Sequence, residues 1–229
     1  MTALIINYKT PAFTEAAVRS VKKGSPKFEV VVYDSSGEYH GPADRLIKND
    51  IDFKELLDRY PNKIETVNDW GSVKHCYTVD HCFDLLPEGF ILLDSDVLVK
   101  KDLTPLWQPD KIWVGQIRRT NFNYIPRVAP YCCFINVSMC REHGIRYFND
   151  QWMWRLNTNP DHDSNWYDTG AYFLRETREL PHLEAAIDDF VLHFRGASWM
   201  EGKKGMADEW LANNSNLYKN GLSSSVCDL

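Results

Sequence analysis

No apolar run in this chain approaches the roughly 20 residues that a bilayer-spanning helix needs. The most apolar stretches, Ala3 to Ile6, Val30 to Tyr33 and Phe90 to Leu93, are far shorter. A basic leader followed by a long apolar segment and a small-residue cleavage site is also missing, so a cytoplasmic location is expected. Positive charge is in deficit. The 26 Lys and Arg against 32 Asp and Glu leave a formal net charge of −6, which argues against nucleic acid as the main partner, because backbone binding rests on clustered cations. The six cysteines contain no CxxC pair, and 229 residues can bury a sufficient core without disulfides or structural metal, so the thiols are expected to stay reduced. His75-Cys76 and His81-Cys82 would face different sides of one helix, which argues against zinc. No internal repeat is present.

What is present alternates short apolar runs with helical periodicity as far as about Leu86, the pattern of an α/β fold with crossover helices. Ala3 to Asn7 reads as a strand, Pro11 to about Lys23 as a helix with proline at its start, and Phe28 to Asp34 as a second strand. Ser35 to Pro42 is a Ser- and Gly-containing loop at that strand's carboxyl end, where open α/β sheets build ligand sites. Further on, Lys63 to Val67 is expected as a short strand, Ser72 to Leu86 as a helix and Phe90 to Leu93 as a buried strand. Ile112 to Ile117, Tyr131 to Val137 and Phe190 to Phe194 are expected as strands, and Gly170 to Glu179 as a helix. From Asn213 the polar composition suggests a mobile tail.

Asp-x-Asp occurs three times, at Asp50/Asp52, Asp94/Asp96 and Asp161/Asp163. Only Asp94-Ser95-Asp96 follows an uninterrupted apolar strand and precedes another apolar pair. Carboxylates at a buried edge repel each other and lose solvation, a cost that a divalent cation or a firm hydrogen-bond network offsets; capping of the Asp102-Leu103-Thr104 turn is the alternative. His193 ends the last expected strand before the small-residue turn Gly196-Ala197-Ser198. It reads either as a core histidine or as a third ligand completing a set suited to Mn²⁺ or Mg²⁺. Asp168, just before a helical pattern, is either an N-cap or a general base for a hydroxyl nucleophile. Trp152, Trp154, Trp166 and Trp199 offer flat rings that suit carbohydrate as well as core packing.

Taken in order, these segments resemble the nucleotide-sugar glycosyltransferases of the GT-A fold, nearest to the large inverting family 2, over about Ala3 to Trp199. Ile6-Asn7-Tyr8-Lys9-Thr10 is similar to the family's first strand and nucleotide-contacting loop, Val30 to Gly37 to its second strand with a base-reading Asp34, and Gly71 to His75 to the segment closing over the nucleoside. Asp94-Ser95-Asp96 resembles its metal and ribose site, Tyr167-Asp168 its acceptor motif, with Tyr167 in place of the usual acidic neighbour, and His193, Gly196 and Ser198 its late His-x-x-Gly-x-Ser element.

The resemblance implies an α/β, mixed, mostly parallel sheet flanked by helices in a single GT-A domain. Residues 1–212 would form it, with 1–100 as nucleotide-binding half, 101–212 as acceptor-side half and 213–229 as tail. It implies a nucleoside-diphosphate sugar donor, UDP-linked, and a glycan or other hydroxyl acceptor. Ile6, Asn7, Tyr8, Thr10, Asp34, Gly71, Lys74, Asp94 and Ser95 would contact the nucleotide. Asp94, Asp96 and His193 would hold Mn²⁺ or Mg²⁺, and Asp168 would be the base of an inverting transfer. Lys203 and Lys204 read as an exposed basic turn or as a lid. A nucleotidyltransferase is the competing enzyme reading, but Asn7 to Pro11 lacks the glycine-rich loop expected there. A catalytically silent nucleotide- or carbohydrate-binding module is the non-enzymatic one.

Overall fold

A computed structural model describes residues 1–58, 70–118, 126–149 and 169–194. The expected strand at Lys63 to Val67 and the expected tail lie outside the described residues. Among these, no helix is long and apolar enough to cross a membrane. They form two compact, sequence-interleaved units: Met1–Asn49 with Phe90–Trp107 and the described residues from Ala186, and Asp50–Gly89 with Gln108–Ala185.

The first unit is organised around β1 (Thr2–Asn7), which pairs in parallel with β2 (Glu29–Asp34) on one side and with β4 (Phe90–Asp94) on the other; β3 (Arg45–Lys48) continues the sheet in parallel beyond β2. Ala3 to Ile6, Val30 to Tyr33 and Phe90 to Leu93 are all buried. A parallel sheet covered on both faces selects such unbroken apolar runs. Between β1 and β2 lies α1 (Pro11–Gly24), which buries Phe13, Ala16, Ala17, Val18 and Val21 on one face and carries Lys22 and Lys23 in its last turn, where cations complement the helix dipole. Its Ser20 and Ser25 hydroxyls accept from the backbone N–H groups of Val99 at 3.0 Å and Leu103 at 2.8 Å. The first of these bonds ties α1 to β5 (Val97–Val99), which pairs antiparallel with β11 (Val191–His193). Strand β3 escapes the sequence pattern because three of its four residues are exposed and its ends are charged, as befits an edge strand.

In the second unit, β6 (Trp113–Gly115) lies between β9 (Cys132–Ile135), antiparallel to it, and β10 (His182–Glu184), parallel to it. The expected strand Ile112 to Ile117 is interrupted at Gln116, after which β7 (Ile117–Arg118) pairs antiparallel with β8 (Arg127–Val128). The expected strand Tyr131 to Val137 stops at Ile135 because Asn136 caps a helix: its Oδ1 accepts from Met139 N–H at 3.1 Å, and α4 (Val137–Glu142) follows. The remaining helices are α2 (Phe53–Asp58), α3 (Trp70–Leu85) and α5 (Ala171–Thr177). Trp113 is fully buried, donates from Nε1 to Thr177 Oγ1 at 2.9 Å and stacks on His182. Across the unit, Asp80 on α3 accepts from Tyr147 N–H at 2.7 Å and from Arg146 Nε at 3.0 Å.

Gly170 precedes α5 with φ of +83°, and its carbonyl accepts from Val128 N–H at 3.3 Å. A Cβ there would stand 2.3 Å from the Val128 carbonyl oxygen. Gly170→Ala is therefore expected to destabilise the protein by about 3 kcal/mol, combining left-handed backbone strain with backbone overlap. Urea unfolding followed by circular dichroism checks this; an unchanged midpoint would mean that Gly170 is not held as described.

Candidate functional site

In the first unit the parallel register brings Asn7 of β1 level with Asp34 of β2, and Ile6 level with Asp94 of β4. Polar residues thus accumulate where apolar strands run out at their carboxyl ends. Asn7 is fully buried and organises this edge. Its Nδ2 donates to Asp34 Oδ1 at 2.7 Å and to Ser36 Oγ at 3.1 Å, while its Oδ1 accepts from Thr14 Oγ1 at 2.8 Å and from Thr10 N–H at 3.3 Å.

Asp34, 2% exposed, accepts at Oδ1 from Asn7, Ser36 N–H and Ser36 Oγ, and at Oδ2 from Tyr39 N–H. Burial alone would raise its carboxyl. The hydrogen bonds from Asn7, Tyr39 and Ser36 outweigh that and hold it below its ordinary value of 3.8. With Oδ1 saturated, Oδ2 is the oxygen with remaining acceptor capacity. Ser36 and Tyr39 were not among the expected site residues, although Asp34-Ser35-Ser36 has the spacing of an Asx turn.

The loop after β1 turns through Lys9, a non-glycine residue at φ +57°, and Lys9 N–H donates to Ser36 Oγ at 3.1 Å. Tyr8 is 43% exposed, with Lys9 Nζ 5.6 Å from its ring centroid. Thr10 is buried, and its Oγ1 lies 2.9 Å from Ser95 Oγ. Ile6 is buried within β1. Gly71, exposed, and Lys74, whose Nζ lies 5.2 Å from the Phe53 ring centroid, are on α3 in the second unit. Asp168 lies outside the described residues, as do Trp152, Trp154, Trp166, Trp199, Gly196, Ser198, Lys203 and Lys204.

Asp94 closes β4 and Asp96 follows in the turn before β5. The β5–β11 ladder sets His193 opposite Val97, and Phe194 N–H donates to the Asp96 carbonyl at 3.0 Å. A histidine distant in sequence is thereby placed beside the acidic pair. His193 Nε2 lies 3.4 Å from Asp96 Oδ1 and 3.8 Å from Asp94 Oδ2, and one ligand atom from each of the three lies within 4.8 Å of the others. Among the described residues this is the one such group of His, Cys, Asp or Glu able to hold a metal ion. Asp96 is 1% exposed, so its charge is kept away from bulk water. Two hard carboxylate oxygens and one imidazole nitrogen fit a divalent cation, and a cation there would offset the repulsion of the acidic pair. Cys76, Cys82, Cys132, Cys133 and Cys140 are all buried.

Asn7→Asp would set a second carboxyl against Asp34 in a buried place. The variant is expected to lose about 3 kcal/mol near neutral pH, the scale of breaking a buried polar pair. In the parent chain the depressed Asp34 contributes stability that is present above 3.8 and lost as pH falls through its lower folded value. In the variant, repulsion raises the folded-state pKa of the pair, so the deficit is largest at high pH and shrinks as pH falls through that raised value. Urea midpoints at about pH 7.5 and about pH 5 measure it; a deficit independent of pH would count against the Asn7–Asp34 pairing.

No protein-family model matches the chain. Two curated Arabidopsis thaliana proteins do: probable galacturonosyltransferase 13, 26% identical across 86% of this chain and 47% of its own length, and probable galacturonosyltransferase 14, 24% identical with the same coverage. The chain spans about half the length of these relatives. Among solved structures, the galactosyltransferase LgtC in complex with donor and acceptor sugar analogs superimposes with a TM-score of 0.50 at 17% identity, covering 82% of this chain and 74% of that one. An active-site mutant of LgtC gives a TM-score of 0.51 at 18% identity, covering 82% and 73%. The chain is thus similar to glycosyltransferases in sequence and shares their GT-A fold, as the sequence motifs led one to expect.

Proposed function

We propose that this chain is the donor-binding and catalytic part of a metal-dependent glycosyltransferase that moves a sugar from a nucleoside diphosphate, UDP, to a hydroxyl of a glycan or other acceptor. The observation that carries the proposal is the Asp94–Asp96–His193 group at the carboxyl end of β4, on the fold that the LgtC structures share. Those three side chains would hold Mn²⁺ or Mg²⁺. Bound there, a divalent cation supplies Lewis-acid stabilisation for the charge that a diphosphate acquires as it leaves an anomeric carbon.

The chain's own residues account for the rest. Asp34 Oδ2 keeps acceptor capacity for a donor N–H of the base, and the exposed Tyr8 ring offers a face for stacking. Asn7 fixes both, holding Asp34 directly and, through Ser36, the loop that bears Tyr8 and Lys9. This side-chain framework differs from the backbone N–H cradle of a glycine-rich loop, which favours sugar transfer over nucleotidyl transfer. Asp168 would take the acceptor hydroxyl's proton. Attack from the face opposite the leaving group would then invert the anomeric centre, so the configuration of the product, read by proton NMR coupling, reports on this assignment. The curated relatives are named for galacturonosyl transfer, which makes a carboxylated sugar the first substrate class to examine.

Asp96→Ala is expected to abolish Mn²⁺-dependent thermal stabilisation by UDP and to lower donor turnover by about 100-fold or more, with an unaltered far-ultraviolet spectrum. Retained metal-dependent turnover in a folded variant would overturn the metal assignment. Asp168→Asn is expected to bind UDP and Mn²⁺ like the parent but to transfer sugar roughly 10²- to 10⁴-fold more slowly. Normal transfer rates would move the base elsewhere and remove the argument for inversion.

A further inference from the structure

Thr10 stands at the N-cap of α1, where a threonine hydroxyl ordinarily accepts from an N–H of the first helical turn. Its side chain makes no such bond. The Oγ1 instead lies 2.9 Å from Ser95 Oγ, a contact that joins positions 85 residues apart within the first unit. The two residues are 4% and 5% exposed. A hydroxyl diverted from its local partner to a distant one marks a place where local preference yields to another demand.

Thr10 is itself firmly held. Its N–H donates to Asn7 Oδ1 at 3.3 Å, and its carbonyl accepts from Thr14 N–H at 3.0 Å and from Thr14 Oγ1 at 3.1 Å. Its Oγ1 is thus a fixed point presented to the Asp94-Ser95-Asp96 turn. Each residue of that turn is restrained in a different way. Asp94 is set by the register of β4 against β1, opposite Ile6. Asp96 is held by its carbonyl, which accepts from Phe194 N–H at 3.0 Å. Between them the backbone is pinned through the Ser95 side chain to Thr10. The tilt of the turn decides how far Asp94 Oδ2 and Asp96 Oδ1 stand from His193 Nε2, which is 3.8 and 3.4 Å.

We propose that Thr10 and Ser95 are positioning residues for the cation site, their paired hydroxyls holding the turn so that both carboxylates converge with His193 on one divalent ion. The inference rests on the assignment of that group to a cation. It gives the two hydroxyls to the turn and not to the nucleotide, which the family resemblance implies they contact. Nearly buried hydroxyls engaged with each other present little surface to a ligand.

Electron paramagnetic resonance of free Mn²⁺ measures the affinity of the full chain for the cation with no nucleotide present, so a direct nucleotide contact cannot enter the readout. Thr10→Val and Ser95→Ala are each expected to weaken Mn²⁺ binding about tenfold, the low end for residues that orient ligands without touching the metal. The double variant is expected to lose no more than the weaker single one, because both substitutions remove the same bond. Thr10→Ser, which keeps the hydroxyl, is expected to bind Mn²⁺ nearly as the parent does. Geometry leaves a further signature. Mg²⁺ demands near-ideal coordination whereas Ca²⁺ tolerates distortion, so in Thr10→Val competition by Mg²⁺ is expected to weaken more than competition by Ca²⁺.

Parent-like Mn²⁺ affinity in folded Thr10→Val or Ser95→Ala would overturn the positioning role and leave the Asp94–Asp96–His193 assignment in place. Additive losses in the double variant, failure of Thr10→Ser to restore binding, or equal losses for Mg²⁺ and Ca²⁺ would do the same. Far-ultraviolet circular dichroism checks folding, and Ser95→Ala, which removes a single oxygen, carries the test if Thr10→Val does not fold. No Mn²⁺ binding by the parent, or binding that Asp96→Ala leaves intact, would remove the cation assignment and this inference with it.

Discussion

A parallel sheet covered on both faces admits polar side chains only at the ends of its strands, because a charge in the middle of β1, β2 or β4 would be buried without water or a partner. That constraint shapes everything around the candidate site. Asn7, Asp34 and Asp94 are the last residues of their strands, and the parallel register sets them along one edge. The apolar runs that stabilise the unit also determine where its chemistry can sit. Moving any of the three polar residues inward by a residue would exchange a strand end with polar neighbours for an apolar interior.

At that edge two kinds of buried carboxylate are handled differently. The charge of Asp34 is stabilised by dipoles: an amide, a hydroxyl and two backbone N–H groups converge on it. It is thereby kept ionised and immobile, suited to orienting a ligand. Asp94 and Asp96 instead face each other and an imidazole, an arrangement that gains most from a divalent cation. The difference follows from the flanking chain. A Ser-Ser-Gly loop follows β2 and can fold its N–H groups back, whereas Asp96 runs directly into β5, whose backbone is committed to the ladder with β11.

Legibility in the sequence tracks this division. Strands β1, β2 and β4 were readable because burial on both faces leaves an unbroken apolar run. Strands β3 and β10 were not, since Arg45, Lys48 and Glu184 place charge in exposed edge positions. Helix α4 was hidden because Phe134-Ile135-Asn136-Val137 continues the apolar signal of β9 across a cap whose meaning is geometric. At the site, the acidic pair was visible as charge following an apolar strand. The Asn7 amide's role was not, because the acceptors of its Nδ2, Asp34 and Ser36, are 27 and 29 residues away and meet it only through register. His193 became a candidate through its small-residue turn and the family resemblance, and the pairing of β5 with β11 supplies the physical reason.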